Sequence, residues 1–139
     1  MKAKTYIFTH TDQVRDYECD LQGIVNNANY QHYLEHTRHK FLEANDLSFA
    51  ELHRQGIDCV VARISIDYKS PLHPGDTYSS RLNVEKEGIK YVFLQDIYKS
   101  CGQGETLCIR SRIETVALVN GRLGTTPALD YLVEKNNCV

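Results

Sequence analysis

The stretch NNANYQHYLEHTRHKFLEAN, residues 26–45, decides the fold because it predicts one long helix. It begins with asparagines, a residue type that caps helix N-termini by accepting backbone N–H groups. Five residues then recur at helical spacing and share one side of the helix: Tyr30, Tyr33, Leu34, Thr37 and Phe41. The pattern predicts a helix that runs to about Asn45 and buries this side.

The opposite side of the predicted helix is polar, with His32, His36, His39 and Glu43, and Glu35, Gln31 and Arg38 occupy a flank between the two sides. We expect the polar side to face solvent or another subunit. His32, Glu35 and His36 also fit H-x-x-E-H, a metalloprotease pattern. Such a zinc site needs a third ligand and a buried cleft, which a polar helix side does not predict. We therefore expect no metal and no cofactor.

Strand patterns flank this helix on both sides. Before it, Tyr6–Thr9 is typical of a strand, with a continuation to Tyr17 left open. After a short helix at Ser48–Arg54, apolar and polar residues alternate from Ile57 to Ser70, and a turn follows at Pro71–Asp76. The later elements are strands at Tyr78–Gly88, Tyr91–Cys101, Leu107–Val119 and Arg122–Leu123, then a helix at Ala128–Glu134.

This order of elements predicts an α+β fold in which one antiparallel sheet wraps one long helix. The 139 residues suffice for a single domain, residues 1–139. A single sheet exposes an edge strand, which a second copy of the chain can cover by strand pairing. We therefore expect a homo-oligomer, a dimer or a dimer of dimers.

The composition excludes several functional classes. The charged fraction is 24% and the net charge is −2, so no basic surface is expected for nucleic acid. No apolar run has the roughly 20 residues of a membrane span, and no apolar core of a signal peptide follows the first lysines. The five cysteines show no C-x-x-C spacing, which is typical of reduced thiols. These features predict a cytoplasmic protein without membrane or nucleic-acid partners.

The loop before the long helix has the composition of a reactive site. Residues 20–29 combine the carboxylate of Asp20, the glycine Gly23 and several asparagines at a helix N-terminus. Free N–H groups at such a terminus stabilise a developing oxyanion, and a carboxylate beside them can act as nucleophile or base. Gly23 lets a ligand approach the backbone. Simple helix capping explains the same residues, and the adjacent Cys19 is a second candidate nucleophile.

The segment Tyr17–Tyr30 resembles the active-site loop of hotdog-fold acyl-CoA thioesterases, in particular the 4-hydroxybenzoyl-CoA thioesterase-like branch. Its pattern Asp-x-x-Gly-Ile/Val-Val-x(4)-Tyr is matched by Asp20, Gly23, Ile24, Val25 and Tyr30. Further similarity lies in the turn Tyr68–Leu72 with Pro74–Asp76, and in Glu35 and Arg38 on the helix. The resemblance implies a hotdog fold and hydrolysis of acyl-CoA to a free acid and coenzyme A.

The resemblance also implies roles for single residues. Asp20 matches the catalytic aspartate, which acts as nucleophile or as general base, and Asn27 matches the residue whose backbone N–H polarises the thioester carbonyl. Gly23, Val25 and Tyr30 are then expected to contact the substrate. Lys90 falls near a basic position that contacts the coenzyme A phosphates, and we expect it to reach the site from the partner subunit.

Two alternatives to acyl-CoA hydrolysis remain open at this point. Asn26–Tyr30 is also similar to the Val-Asn-Asn-x-x-Tyr segment of acyl-ACP thioesterases. Those enzymes place a histidine and an asparagine in the loop where this chain has Ile24 and Gln22, so no histidine of this loop is available for the chemistry. The carrier is therefore either coenzyme A or an acyl carrier protein. The third possibility is a hotdog protein that binds acyl-CoA without turnover.

Overall fold

The computed structural model describes residues 6–137, so the thiol of Cys138 and the first five residues lie outside it. One antiparallel sheet contains all the strands in the order β1-β3-β4-β5-β2, with β6 paired to β5. The strands are β1 (Phe8–Gln13), β2 (Ile57–Tyr68), β3 (Thr77–Glu87), β4 (Lys90–Cys101), β5 (Gly104–Val119) and β6 (Arg122–Gly124). The predicted α+β fold is confirmed.

Three helices accompany the sheet: α1 (Asn27–Ala44), α2 (Phe49–Arg54) and α3 (Pro127–Asn137). The long helix α1 packs its predicted apolar side into the core, where Leu34 and Phe41 are almost completely buried. Thr37 Oγ1 joins α1 to β3 by donating a hydrogen bond to Ser80 Oγ at 2.7 Å. Within residues 6–137, no helix is long and apolar enough to cross a membrane.

The structure corrects three details of the sequence prediction. Strand β1 ends at Gln13 and does not continue to Tyr17, because the chain enters a 3-10 turn at Asp16–Glu18. Helix α3 is longer than the predicted Ala128–Glu134. Arg38, which the helical pattern placed on a polar flank, is buried with 7% of its surface exposed.

Strand β2 lies at an edge of the sheet and is twelve residues long. Three large apolar side chains on it are exposed: Val60, Val61 and Tyr68. A long edge strand with apolar side chains offers unpaired backbone groups to another chain. The edge that the sequence predicts for pairing between subunits is therefore present on β2.

Candidate active site

The loop between the 3-10 turn and α1 is held closed by backbone hydrogen bonds. A β-bridge pairs Cys19 with Val25, and Asp20 N–H donates to the Ile24 carbonyl at 2.9 Å. Gly23 N–H donates to the Asp20 carbonyl at 3.0 Å, and Gly23 has a φ of +75°, a left-handed conformation that favours glycine. The result is a tight turn whose two ends, Asp20 and Ile24, face each other.

The Asp20 carboxylate is partly exposed and is oriented by this turn. Its Oδ1 accepts a hydrogen bond from Gln22 N–H at 2.8 Å. For Oδ2, no protein donor or ion-pair partner occurs in the described part of the chain. One oxygen is therefore fixed in an Asx turn, while the other is free for a substrate or a water molecule.

The first turn of α1 leaves one backbone donor free. Ala28 N–H donates to Asn26 Oδ1 at 2.9 Å, and Asn29 N–H donates to the Asn26 carbonyl at 2.9 Å. Within residues 6–137, Asn27 N–H has no acceptor. It carries the partial positive charge of a helix N-terminus and is free to donate to a ligand.

A cavity of about 250 Å³ opens at this N-terminus. Its lining residues come from the loop, the start of α1 and the segment after β2: Ile24, Val25, Asn27, Tyr30, Tyr68, Lys69, Ser70 and Pro71. We call it the N-terminal cavity. Of the predicted site residues, Val25, Asn27 and Tyr30 therefore meet here, and Asp20 and Gly23 belong to the turn beside Val25 without lining the cavity.

Tyr30 holds the two walls of the N-terminal cavity together. Its hydroxyl accepts a hydrogen bond from Leu72 N–H at 3.0 Å, and Val25 N–H donates to the Leu72 carbonyl at 2.9 Å. The Tyr30 ring packs edge-to-face on Tyr68 with centroids 5.7 Å apart. Because burial raises the pKa of Tyr30, the hydroxyl keeps its proton at neutral pH.

Lys69 was not among the predicted site residues. It is exposed and supplies the one charged side chain in the lining of the N-terminal cavity. Its ammonium has no ion-pair partner in the described residues. The resemblance of Tyr68–Leu72 to a family turn was the available signal, but it pointed to a turn and not to a binding wall.

Lys90 does not reach the N-terminal cavity of its own subunit. It pairs with Val116 on β5, whereas Tyr68 at the cavity pairs with Ile109. These two positions on β5 are separated by about 23 Å along the strand. Lys90 Nζ is 2.6 Å from Glu114 Oε1. Lys90 therefore does not line the cavity of its own subunit, and its predicted contact with the substrate stays a prediction.

The competing nucleophile Cys19 is chemically disfavoured. Partial burial, followed by the charges of Asp16, Asp20 and Glu18, raises the pKa of its thiol. A thiol nucleophile reacts as the thiolate, which this environment disfavours at neutral pH. Asp20 therefore remains the candidate nucleophile or base of the loop.

The H-x-x-E-H residues of α1 lie on its exposed side, as the helical pattern predicts. His32, Glu35 and His36 border an open groove together with His39, Lys40 and Glu43. Among the residues that the structure describes, no three histidine, cysteine or acidic side chains come together as a metal site.

Comparison with protein families finds one match. The model of the thioesterase-like superfamily matches residues 14–128 of this chain. The match begins directly after β1 and ends at the start of α3, so it includes the loop, α1 and strands β2 to β6.

Two curated relatives match over parts of their sequences. An acyl-acyl carrier protein thioesterase from Arabidopsis thaliana, ATL3, is 41% identical over 66 residues, which cover 48% of this chain and 35% of that protein. YneP from Bacillus subtilis, named as a candidate acyl-CoA thioesterase, is 33% identical over 92 residues, 66% of this chain and 67% of that protein. The match thus spans about a third of the length of ATL3.

A solved structure with the same architecture is a 1,4-dihydroxy-2-naphthoyl-CoA thioesterase from Synechocystis. It superposes with a TM-score of 0.80 at 20% identity, over 91% of this chain and 94% of that chain. With the family match, this likeness confirms the expected hotdog fold, an antiparallel sheet wrapped around one long helix.

Proposed function

Because the chain belongs to the thioesterase-like superfamily, we propose that it hydrolyses acyl-CoA thioesters to a free acid and coenzyme A. The observation that carries the proposal is the free N–H of Asn27 at the N-terminal cavity, beside a turn that presents the Asp20 carboxylate. An oxyanion donor and a carboxylate that acts as nucleophile or base can together carry out thioester hydrolysis.

In the proposed reaction, the thioester carbonyl oxygen accepts a hydrogen bond from Asn27 N–H, which stabilises the negative charge of the tetrahedral intermediate. Asp20 acts in one of two ways. As nucleophile, its free oxygen bonds to the acyl carbon, the thiolate of coenzyme A leaves, and water then hydrolyses the anhydride. As general base, it takes a proton from the water molecule that attacks the acyl carbon.

The lining of the N-terminal cavity suits an acyl group that is attached to an anionic carrier. Val25 and Tyr68 offer apolar surface, and Lys69 offers an unpaired cation at the opening. Gly23 leaves open space because a Cβ at that position would meet no heavy atom within 4 Å. Phosphate groups of a carrier can therefore approach the loop and Lys69 without steric conflict.

The direct test of the proposed function is hydrolysis of a panel of acyl-CoAs, read out by the free thiol that appears. We expect turnover of at least one acyl-CoA that scales with enzyme concentration. Absence of turnover across the panel, with binding of acyl-CoA retained, would support the alternative of a non-catalytic acyl-CoA-binding protein.

The second candidate function is hydrolysis of acyl-ACP, which the 41% identity to ATL3 favours. The same acyl group should be offered on coenzyme A and on an acyl carrier protein. A higher kcat/KM on the protein carrier would assign the chain to acyl-ACP hydrolysis, and the reverse result would support coenzyme A.

We further propose that the protein works as a homo-oligomer that forms by pairing of β2 strands. This assembly would cover the exposed Val60 and Val61. We expect Lys90 to reach the site of the partner subunit in it. A dilution series followed by light scattering and by activity tests it. Loss of activity together with dissociation is expected, whereas full activity in a monomer would contradict the shared site.

A further inference from the structure

A second cavity, of about 350 Å³, lies beside the middle of α1. Four of its lining side chains are apolar: Phe49, Val61, Phe93 and Leu129. Arg38 lines the same cavity with only 7% of its surface exposed. We call this space the Arg38 cavity.

The Arg38 guanidinium is held in place but has no counter-ion. Its Nη1 donates to Gln95 Oε1 at 2.9 Å, and Gln95 is itself fixed because its Nε2 donates to the Leu34 carbonyl at 2.9 Å. The guanidinium carbon also lies 5.9 Å from the centre of the Phe93 ring. A guanidinium has five N–H donors. For the other four, no acceptor occurs within residues 6–137.

Most of the Arg38 side chain is buried, while its unpaired nitrogens keep accessible surface, since none of them is fully buried without a hydrogen-bond partner. A cation removed from water is stabilised only when an anion or enough hydrogen bonds replace the water. Burial lowers the pKa of Arg38, and the charge of Glu35 opposes this effect. Within residues 6–137, Glu35 forms no ion pair with Arg38, and its Oε1 lies 3.6 Å from His39 Nε2.

The acidic side chains of the Arg38 cavity lie at its opening. The side chains of Glu35 and Asp58 are 59% and 47% exposed, so solvent screens their charges. Each also has a histidine nitrogen nearby, from His39 at 3.6 Å and from His53 at 2.5 Å. The cation of Arg38 is therefore the dominant charge in the interior of the cavity.

We propose that the Arg38 cavity binds a carboxylate carried on a short apolar body. The planar guanidinium can donate two parallel hydrogen bonds to a carboxylate, and the apolar walls can contact the hydrocarbon part of the ligand. An inorganic anion would satisfy Arg38 but would leave Phe49, Phe93 and Leu129 in contact with water. The combined chemistry favours an organic acid.

The Arg38 cavity is separate from the N-terminal cavity of the same subunit. Asn27 and Arg38 lie about 16 Å apart along the axis of α1. Between them, Leu34 is completely buried, and the two cavities share no lining residue. A ligand in the Arg38 cavity therefore does not occupy the acyl site described above.

Two sources can supply such a carboxylate, and this distinction rests on the proposed function. One is the free acid that thioester hydrolysis releases. The other is an acyl group with a second carboxylate at its far end, reaching the cavity from the site of the partner subunit. Both present the same group to Arg38.

Calorimetric titration of the full-length protein with octanoate tests the site without any need for turnover. We expect saturable binding of octanoate, with methyl octanoate and inorganic phosphate at least tenfold weaker. Equal binding of the acid and its ester, or no binding of octanoate, would overturn the proposal.

Substitution of Arg38 locates the binding. R38M should weaken octanoate binding at least tenfold, R38K should retain part of it, and R122M, at an exposed arginine of β6, should have no effect. Wild-type affinity in R38M would overturn the proposal. If R38M does not fold, two other measurements decide where octanoate binds. One is the affinity of R38K for octanoate, and the other is the change in the chemical shifts of Phe93 and Leu129 when octanoate is added to the wild-type protein.

Two kinetic measurements distinguish the sources. If octanoate inhibits the hydrolysis of octanoyl-CoA and R38M relieves this inhibition, the released free acid is the ligand of the Arg38 cavity. A loss of kcat/KM in R38M only for an acyl-CoA with a terminal carboxylate would identify the substrate. Octanoate binding without thioesterase activity would support the site and contradict the proposed function, so the two failures are distinguishable.

Discussion

The two cavities along α1 differ in the origin of the hydrogen-bond donors that they present to an anion. At the N-terminal cavity the donor is the backbone N–H of Asn27, which any residue except proline would supply. At the Arg38 cavity the donors belong to one buried side chain. Side-chain substitutions at Asn27 should therefore have little effect, whereas those at Arg38 should remove binding.

Asp20→Asn should lower kcat by roughly 10³–10⁴-fold, because the amide can act neither as nucleophile nor as base. The fold and the affinity of the Arg38 cavity for octanoate should not change. Steady-state kinetics and calorimetry measure the two quantities. The matched control is Asp46→Asn at the exposed end of α1, where φ is +60° and asparagine is tolerated. Near-wild-type turnover of Asp20→Asn would make Glu35 the next candidate.

Asn27→Pro should lower kcat by about 10²–10³-fold, since it removes only the proposed oxyanion donor. Proline suits this first position of a helix, and the preceding Asn26 already has the extended conformation that proline requires, with φ −63° and ψ 142°. Asn27→Ala keeps the N–H and should stay within a few-fold of wild type. Equal activity of the two variants would remove Asn27 N–H from the mechanism.

These two positions show how much the sequence could predict. The asparagines and the period of Tyr30–Phe41 predicted α1 and its N-terminus. The donor role of Asn27 came from the family resemblance and stays a prediction. The strands were predicted because alternation from Ile57 onward is a local signal. The turn that brings Asp20 opposite Ile24 depends on backbone hydrogen bonds that no local pattern predicts. The sequence did single out its glycine, Gly23, which has a φ of +75°.

The Arg38 cavity could not be predicted in the same way. Helical spacing placed Arg38 on a flank of α1. Whether that flank is buried depends on how the sheet packs against the helix. Its partner Gln95 is 57 residues away on β4, so the contact is a product of tertiary packing. Lys69 was missed for a similar reason, since the cavity wall forms only when the segment after β2 packs against α1.

Lys90→Ala should raise KM for acyl-CoA about tenfold without lowering kcat, if the partner subunit contributes Lys90 to phosphate binding. Screening by salt should reduce the difference, because the contact is between exposed charges. Kinetics at low and high ionic strength measure this effect, with the exposed Lys135→Ala as the control. An unchanged KM at low salt would exclude Lys90 from the site.

Gly23→Ala should destabilise the protein by about 1 kcal/mol, because an L-residue is strained at a φ of +75°. The cost is conformational only, since a Cβ there meets no atom within 4 Å. Urea unfolding measures the change. Gly104→Ala is the matched control, because its Cβ would make only an ordinary contact at 3.8 Å and no positive φ is involved. Equal stability of both variants would show that the turn relaxes.

Cys19→Ala should change kcat by less than about twofold, the smallest effect in the loop. Burial and the neighbouring carboxylates raise the pKa of this thiol, so at neutral pH it is protonated and a poor nucleophile. Its thiol makes one long hydrogen-bond contact, 4.0 Å from Sγ to the Arg15 carbonyl, and its side chain packs against the edge of the core, so alanine should preserve the turn. The measurement is kcat for Cys19→Ala beside Asp20→Asn under identical conditions.

A loss of activity in Cys19→Ala, together with retained activity in Asp20→Asn, would assign the role of nucleophile to the thiol of Cys19 and not to the carboxylate of Asp20. We instead expect the loss of kcat in Asp20→Asn alone, at the residue that directly follows Cys19.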